Sequence, residues 1–467
     1  METKENKMGV MPIKKLIINM SVPMMISMLF QALYNIVDSL FVSRISQDAL
    51  TAISIAFPMQ NLMIAFASGT GVGINALLSR SLGEKNYKRT NQAANTGLFL
   101  IILTYFLFVF IGLLGVKPFI ASQTNNAVIC DYATTYTKIC CLLSIGLFMQ
   151  VTFERLLQST GLTIYSMASQ ITGAIINIIF DPIMIFGLFG FPKLGIAGAA
   201  YATIFGQTVA STIGLTLNIK KNKEICLKLK EVFHPTLDIV KKIYLVGFPS
   251  ILMMSIGSFM TFMMNKILGS FSPDILADTA QAVFGSYFKL QSFFFMPVFG
   301  LNNGMIPVLA YNLGAKKKER IKESVLFAVK LAIVIMLLGM LCFELIPDKL
   351  LGIFQASDYM ISIGSPALRI IAIHFPIAAV SIVIISLFQA FSKSMYSLIV
   401  SIMRQIVVLI PAAWLLSKAN DISMVWWAFP IAEIASVTVS LLFFRRVKRT
   451  IIDTIPDEIS KEELYQF

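Results

Sequence analysis

Apolar stretches of roughly 20 residues recur along the whole chain, each long enough to cross about 30 Å of hydrocarbon as a helix. They are too long, and too uniform in polarity, to be membrane β-strands, which run to about 10 residues and alternate. Composition agrees: 57% of residues are hydrophobic and 13% charged, against about 45–50% and about 25% in a soluble domain. The fold class expected is an all-α polytopic membrane protein with twelve spans. The first six run near 17–41, 51–79, 93–115, 130–156, 163–189 and 194–219. The second six run near 243–268, 279–309, 324–346, 359–390, 395–417 and 422–444. The long, glycine-bearing second and eighth spans are expected to tilt or partly unwind.

The net charge of +13 would suit nucleic acid if it were concentrated on one surface. Instead the cations fill alternate loops: Lys14 and Lys15, Arg80 to Arg89, Lys220 to Lys242, Lys316 to Lys322, Lys393, and Arg445 to Arg449. The intervening loops hold few, among them Arg44, Lys117, Lys193, Lys349 and Lys418. This is the positive-inside pattern, and with an even number of spans it puts both termini in the cytoplasm. The five cysteines show no metal-ligand spacing, and an odd number fits no disulfide framework. The adjacent Cys140 and Cys141 read as small helix residues. The first apolar run is too long for a signal peptide and reads as a retained span.

The basic segment around His234 and Pro235 divides the chain into alike halves. Arg80-Ser-Leu-Gly83 returns as Tyr311-Asn-Leu-Gly314, and Gln158, Tyr165 and Ser166 return as Gln389, Tyr396 and Ser397, all 231 residues later. Pro23 and Pro249 match at a nearby offset. The expected organisation is a six-helix lobe over 1–222, a cytoplasmic linker over 223–240, a second six-helix lobe over 241–448 and a cytoplasmic tail over 449–467. Six spans per half make the repeats parallel, related by an axis along the membrane normal, an architecture typical of transporters.

Ionisable groups inside a membrane are costly and mark function by default. In the first span Gln31, Tyr34, Asn35 and Asp38 share one helical face, and so do Asn177 and Asp181 in the fifth. Thr203 and Gln207 lie one turn apart in the sixth. Two carboxyls with amide and hydroxyl oxygens suit a hard cation such as Na⁺. The same pair can hold H⁺, since burial and a like-charged neighbour both favour the uncharged form. Pro23 can kink the first span beside this face, and Asp181-Pro182 is a candidate helix end. The second half has no matching acid pair; Lys289, Arg404 and Glu433 are its candidate polar residues, with Glu433 a partner for one of the two cations. Met59, Met63, Met149, Met253 and neighbouring phenylalanines can line an adaptable surface for organic cations. With two histidines and no GxxxxGK[ST] run, the chain is not expected to be an enzyme or an ATPase, and it needs no cofactor beyond a coupling ion, H⁺ or Na⁺.

Ser21-Val-Pro23, Gln31-Ala-Leu-Tyr34-Asn35-Ile-Val-Asp38, Asn177-Ile-Ile-Phe-Asp181-Pro182 and Gly195-Ile-Ala-Gly198-Ala-Ala-Tyr-Ala-Thr203 resemble the first, fifth and sixth spans of MATE (multidrug and toxic compound extrusion) transporters. The likeness extends over essentially the whole chain. It implies two six-helix lobes with a V-shaped cleft. It also implies antiport of cationic, amphiphilic drugs and dyes against H⁺ or Na⁺, in a bacterial cytoplasmic membrane and with no obligate protein partner. The family's cation-site roles fall on Asp38, Asn177, Asp181 and Thr203, with Gln31, Tyr34 and Tyr136 around them. Acids confined to the first lobe resemble the DinF-like branch and its MepA-type exporters. A flippase for a lipid-linked precursor is the alternative, resting on Lys289, Arg369 and Arg404.

Overall fold

A computed structural model describes residues 5–124, 126–271, 274–354, 356–419 and 421–456. The first four residues and the last eleven of the expected tail lie outside them. Among the described residues every regular element is helical. The first half contains Ile13–Ser43, Gln47–Gly83, Tyr87–Leu114, the pair Ala127–Leu142 and Ile145–Ser159, Thr163–Phe186, and Ile196–Lys221. The second contains Leu237–Leu268, Asp274–Gly314, Lys318–Leu345, the pair Asp358–Ala372 and Phe375–Ala390, Ser394–Ser417, and Ile422–Ile452.

Nine of these helices are apolar and long enough to cross a membrane, and eleven spans result when each bent pair counts as one. The twelfth is Ile196–Lys221, whose 26 residues reach about 39 Å. Its glycines, alanines and threonines lower its hydropathy without shortening it. The expected unwinding of the second and eighth spans does not occur: Gln47–Gly83 and Asp274–Gly314 run unbroken through Pro58, Pro297 and Pro307. The breaks fall in the fourth and tenth spans, which bend by 49° and 47°. At the tenth, Pro376 sits at the start of the outgoing helix, where a missing N–H costs nothing. At the fourth, Ser144 Oγ donates to the Cys141 carbonyl (2.7 Å), satisfying an acceptor that the break frees. The two breaks lie 230 residues apart.

The duplication extends to the backbone. Lys85 and Lys316, at the matched Leu-Gly turns, both adopt φ 58°. Gly161 and Ser392 are likewise a matched pair with positive φ, 89° and 58°. The offset therefore reproduces left-handed residues and turns as well as letters, with the bends within one residue of it.

The chain packs as two compact units, one of 22–82 and 86–251, the other of 1–21, 83–85 and 252–467. In the former, Gly73 leaves no room for a Cβ beside the Ile243 carbonyl; in the latter, the matched Gly304 does the same beside Ser21 and the Met20 carbonyl. The short stretch 5–12 is tied into its unit by polar bonds. Arg320 donates to the carbonyls of Met8 (3.0 Å) and Met11 (2.8 Å) and to Asn312 Oδ1 (3.0 Å), and Lys317 pairs with Glu5 (2.6 Å).

The fifth and sixth spans make the approach on which the candidate site depends. A Cβ on Gly206 would lie 2.7 Å from the Gly173 carbonyl, and one on Gly173 would lie 2.7 Å from Ala210 Cβ. Gly198, Ala202, Gly206, Ala210 and Gly214 recur every fourth residue, forming a small-residue seam of the kind that lets membrane helices touch backbone to backbone. Gly206→Ala should force the two helices apart and cost about 1–3 kcal/mol, measured as a lower Tm of the detergent-purified protein; an unchanged Tm would show slack in the seam. Arg320→Ala removes the donor to the Met11 carbonyl and one of two donors to the Met8 carbonyl, and should also lower Tm, by about 1–3 kcal/mol of stability, while leaving span insertion intact.

Candidate functional site

On the fifth span Ser166, Ser169, Gly173, Asn177 and Asp181 are buried along one face. Pro182 does not end this helix, contrary to the expectation. It continues to Phe186 and stops at Gly187, whose φ of 75° closes it with an N–H to the Ile183 carbonyl (3.0 Å). Asp181 thus sits within the span, fully enclosed.

The seam with the sixth span brings Thr203 beside Asn177. One orientation of the Asn177 amide puts Nδ2 3.4 Å from Asp181 Oδ1 and 3.3 Å from Thr203 Oγ1. The opposite orientation satisfies both ends: Nδ2 donates to Asp181 Oδ2 (3.3 Å) and Oδ1 accepts from the Thr203 backbone N–H (3.1 Å). We adopt the latter because an amide has both a donor and an acceptor to satisfy.

From the first span, Asp38 comes close enough to Asp181 for the two carboxyls to interact directly. Two carboxylates have no proton to share, so a hydrogen bond between them needs a proton on one. Asp38 Oδ1 is enclosed and has no partner. Tyr34, Tyr136 and Cys140 lie within electrostatic reach of Asp38. Gln60 Nε2 donates to the Tyr136 hydroxyl (3.0 Å), and Gln170 Nε2 donates to Gln31 Oε1 (3.3 Å), joining the fifth span to the first on the face of the acids.

Not every candidate joins this group. Asn35 is exposed, and its carbonyl, not its amide, accepts a bond, from Ser39 Oγ (2.9 Å). Gln207 is half-buried, one turn beyond Thr203. Pro23 is buried and the first span stays helical through it. In the second half Arg404, carried on a π-helical segment Met403–Leu409, pairs with buried Glu433 at 3.4 Å. Lys289 is not part of that pair: it is exposed, with its ammonium 5.8 Å from the Phe354 ring. Met59, Met63 and Phe153, expected on an adaptable surface, are buried in hydrophobic core instead. Their side chains face the helices of their own unit, and helical spacing alone does not say which apolar face turns inward.

The sequence reading passed over Gln60, Gln170 and Cys140, and also Glu154 and Arg155, which are both buried in the fourth span and bonded to Gln150 (3.0 Å) and Gln158 (3.1 Å) respectively. Polar residues inside apolar spans were the available signal for all but the cysteine, which only its neighbours in space distinguish.

The MatE family profile matches residues 23–183 and 249–415, one block in each half. An FAD transporter of Shewanella oneidensis is 26% identical over 95% of this chain and 98% of its own. The multidrug export protein MepA of Staphylococcus saprophyticus is 24% identical over 93% and 94%. An outward-facing multidrug resistance MATE family transporter of the MOP superfamily superposes with a TM-score of 0.90 at 24% identity, covering 97% of this chain and 99% of that one. A MOP superfamily transporter from Pyrococcus furiosus gives 0.89 at 25%, covering 96% and 99%. The chain belongs to the MatE family and is a multi-pass membrane transporter, not an enzyme.

Proposed function

We propose that this protein exports cationic, amphiphilic drugs and dyes by alternating access, in exchange for H⁺ entering through the first-half site. The observation that carries the reading is the placement of the Asp38 and Asp181 carboxyls beside each other, where a hydrogen bond between them needs a proton on one. The relatives named MepA support the cargo class. H⁺ is favoured over Na⁺ because the Thr203 N–H takes one lone pair of Asn177 Oδ1 and weakens it as a Na⁺ ligand. The alternation of cationic loops supports a bacterial cytoplasmic membrane with both termini in the cytoplasm.

The flippase alternative needs cations gathered on an anionic headgroup. Lys289, Arg369 and Arg404 have separate partners instead: the Phe354 ring, the Glu344 carbonyl (3.2 Å) and Glu433. The relative named an FAD transporter makes an anionic dinucleotide the other cargo to test.

The test is ethidium efflux from proteoliposomes, with pH and Na⁺ gradients imposed separately and FAD offered in parallel. A pH gradient should drive ethidium export, and a Na⁺ gradient alone should not. Asp38→Asn and Asp181→Asn, inserted at wild-type levels, should each reduce gradient-driven export to background. Full export by Asp38→Asn removes the carboxyl pair from the mechanism, Na⁺-driven export reverses the ion, and FAD export without ethidium export reverses the cargo class.

A further inference from the structure

The acid pair has a lateral brace that the coupling reading leaves unused. Gln60 of the second span donates Nε2–H to the Tyr136 hydroxyl oxygen at 3.0 Å. Tyr136 is buried, and its phenol lies within electrostatic reach of Cys140, Asp38 and Tyr34. A phenol has one proton to donate and lone pairs to receive. With the amide N–H on one lone pair, the hydroxyl proton must point to an acceptor elsewhere. Cys140, within electrostatic reach of Tyr136, is a weak acceptor. Tyr34 brings a proton of its own. Asp38 brings the strongest acceptor of the three, the enclosed Oδ1 that has no partner.

We propose that Gln60 is a positioning residue of the ion site: it holds Tyr136 so that the phenol presents its proton to Asp38 Oδ1 when the proton shared by Asp38 and Asp181 departs. This rests on the coupling reading above. Tyr136 keeps its proton throughout; its hydrogen bond replaces the shared proton as the partner of Asp38. Charge-assisted bonds of this kind are about twice as strong as neutral ones, so the brace acts on the ionised state of the site and favours the step at which the proton leaves. Gln60 need not touch the cargo for this role. Its loss therefore falls on turnover and not on cargo affinity.

The experiment compares wild type, Gln60→Met, Tyr136→Phe and the double variant in pH-driven ethidium efflux from proteoliposomes, reading kcat and KM separately. Methionine keeps the length of glutamine but cannot donate. Gln60→Met should lower kcat about tenfold with KM changed by less than about twofold. The double variant should be no worse than Tyr136→Phe alone, because Gln60 acts through Tyr136. Gln60→Glu is the second probe: an ionised carboxylate would draw the phenol proton to itself, so turnover should fall at least as far as in Gln60→Met. Wild-type kcat in both single variants at Gln60 overturns the proposal, as does a double variant whose loss is the product of the single losses. Asp38→Asn separates the two readings. Its full activity would remove the coupling reading, whereas a dead Asp38→Asn beside a fully active Gln60→Met and Gln60→Glu would remove this inference alone.

Discussion

The fifth and sixth spans touch through glycine, and the candidate site depends on that contact. With no Cβ on Gly173 or Gly206, the two backbones approach until Asn177 reaches the Thr203 backbone N–H (3.1 Å). The amide is then held at both ends and fixes the Asp181 carboxylate that it serves. Within hydrocarbon there is no water to satisfy a misplaced polar group, so one helix moving by a side chain's width would leave a carboxyl and an amide unmet. The seam and the site therefore act as one device, in which helix packing sets the electrostatics.

The two halves use a common backbone for unlike ends. Lys85 and Lys316, and Gly161 and Ser392, repeat at one offset, and the bends of the fourth and tenth spans fall within one residue of it. The polar chemistry does not repeat. The first half sets two carboxyls against each other, with an oxygen of Asp38 left unmet; the second buries Glu433 against Arg404, a pair that is already neutral overall. A pair of like charges must take up a positive ion to exist in a low-dielectric setting, whereas a pair of opposite charges need not. That difference places the proposed coupling in the first half without invoking any difference in fold.

The polar network around the acids is also directional. Gln60 donates a hydrogen bond to Tyr136, and Gln170 donates one to Gln31. Amides in such positions fix which way a neighbouring hydroxyl or amide points, and so fix whether a carboxyl meets a donor or an acceptor.

Much of this was legible in the sequence, and the physical reasons separate what was from what was not. Helix number and type followed from the length of the apolar runs, because hydrocarbon thickness sets a minimum that each run had to meet. The halves followed from matched residues at one offset, and the shared faces of Gln31, Tyr34 and Asp38, and of Asn177 and Asp181, followed from helical periodicity alone. Periodicity places residues on a face but does not say what that face meets. Only the tertiary structure turned Asn35 outward, separated Lys289 from the Arg404–Glu433 pair, and sent Met59 and Met63 into core instead of onto a surface. It also carried the fifth span past Pro182, since a proline removes one N–H but packed neighbours can keep the helix in line. The meeting of Asp38 with Asp181, and of Gln60 with Tyr136, joins residues 143 and 76 positions apart. Such contacts depend on which helices adjoin and how closely, and this was decided by the small residues of the seams and by the fold that brings them together.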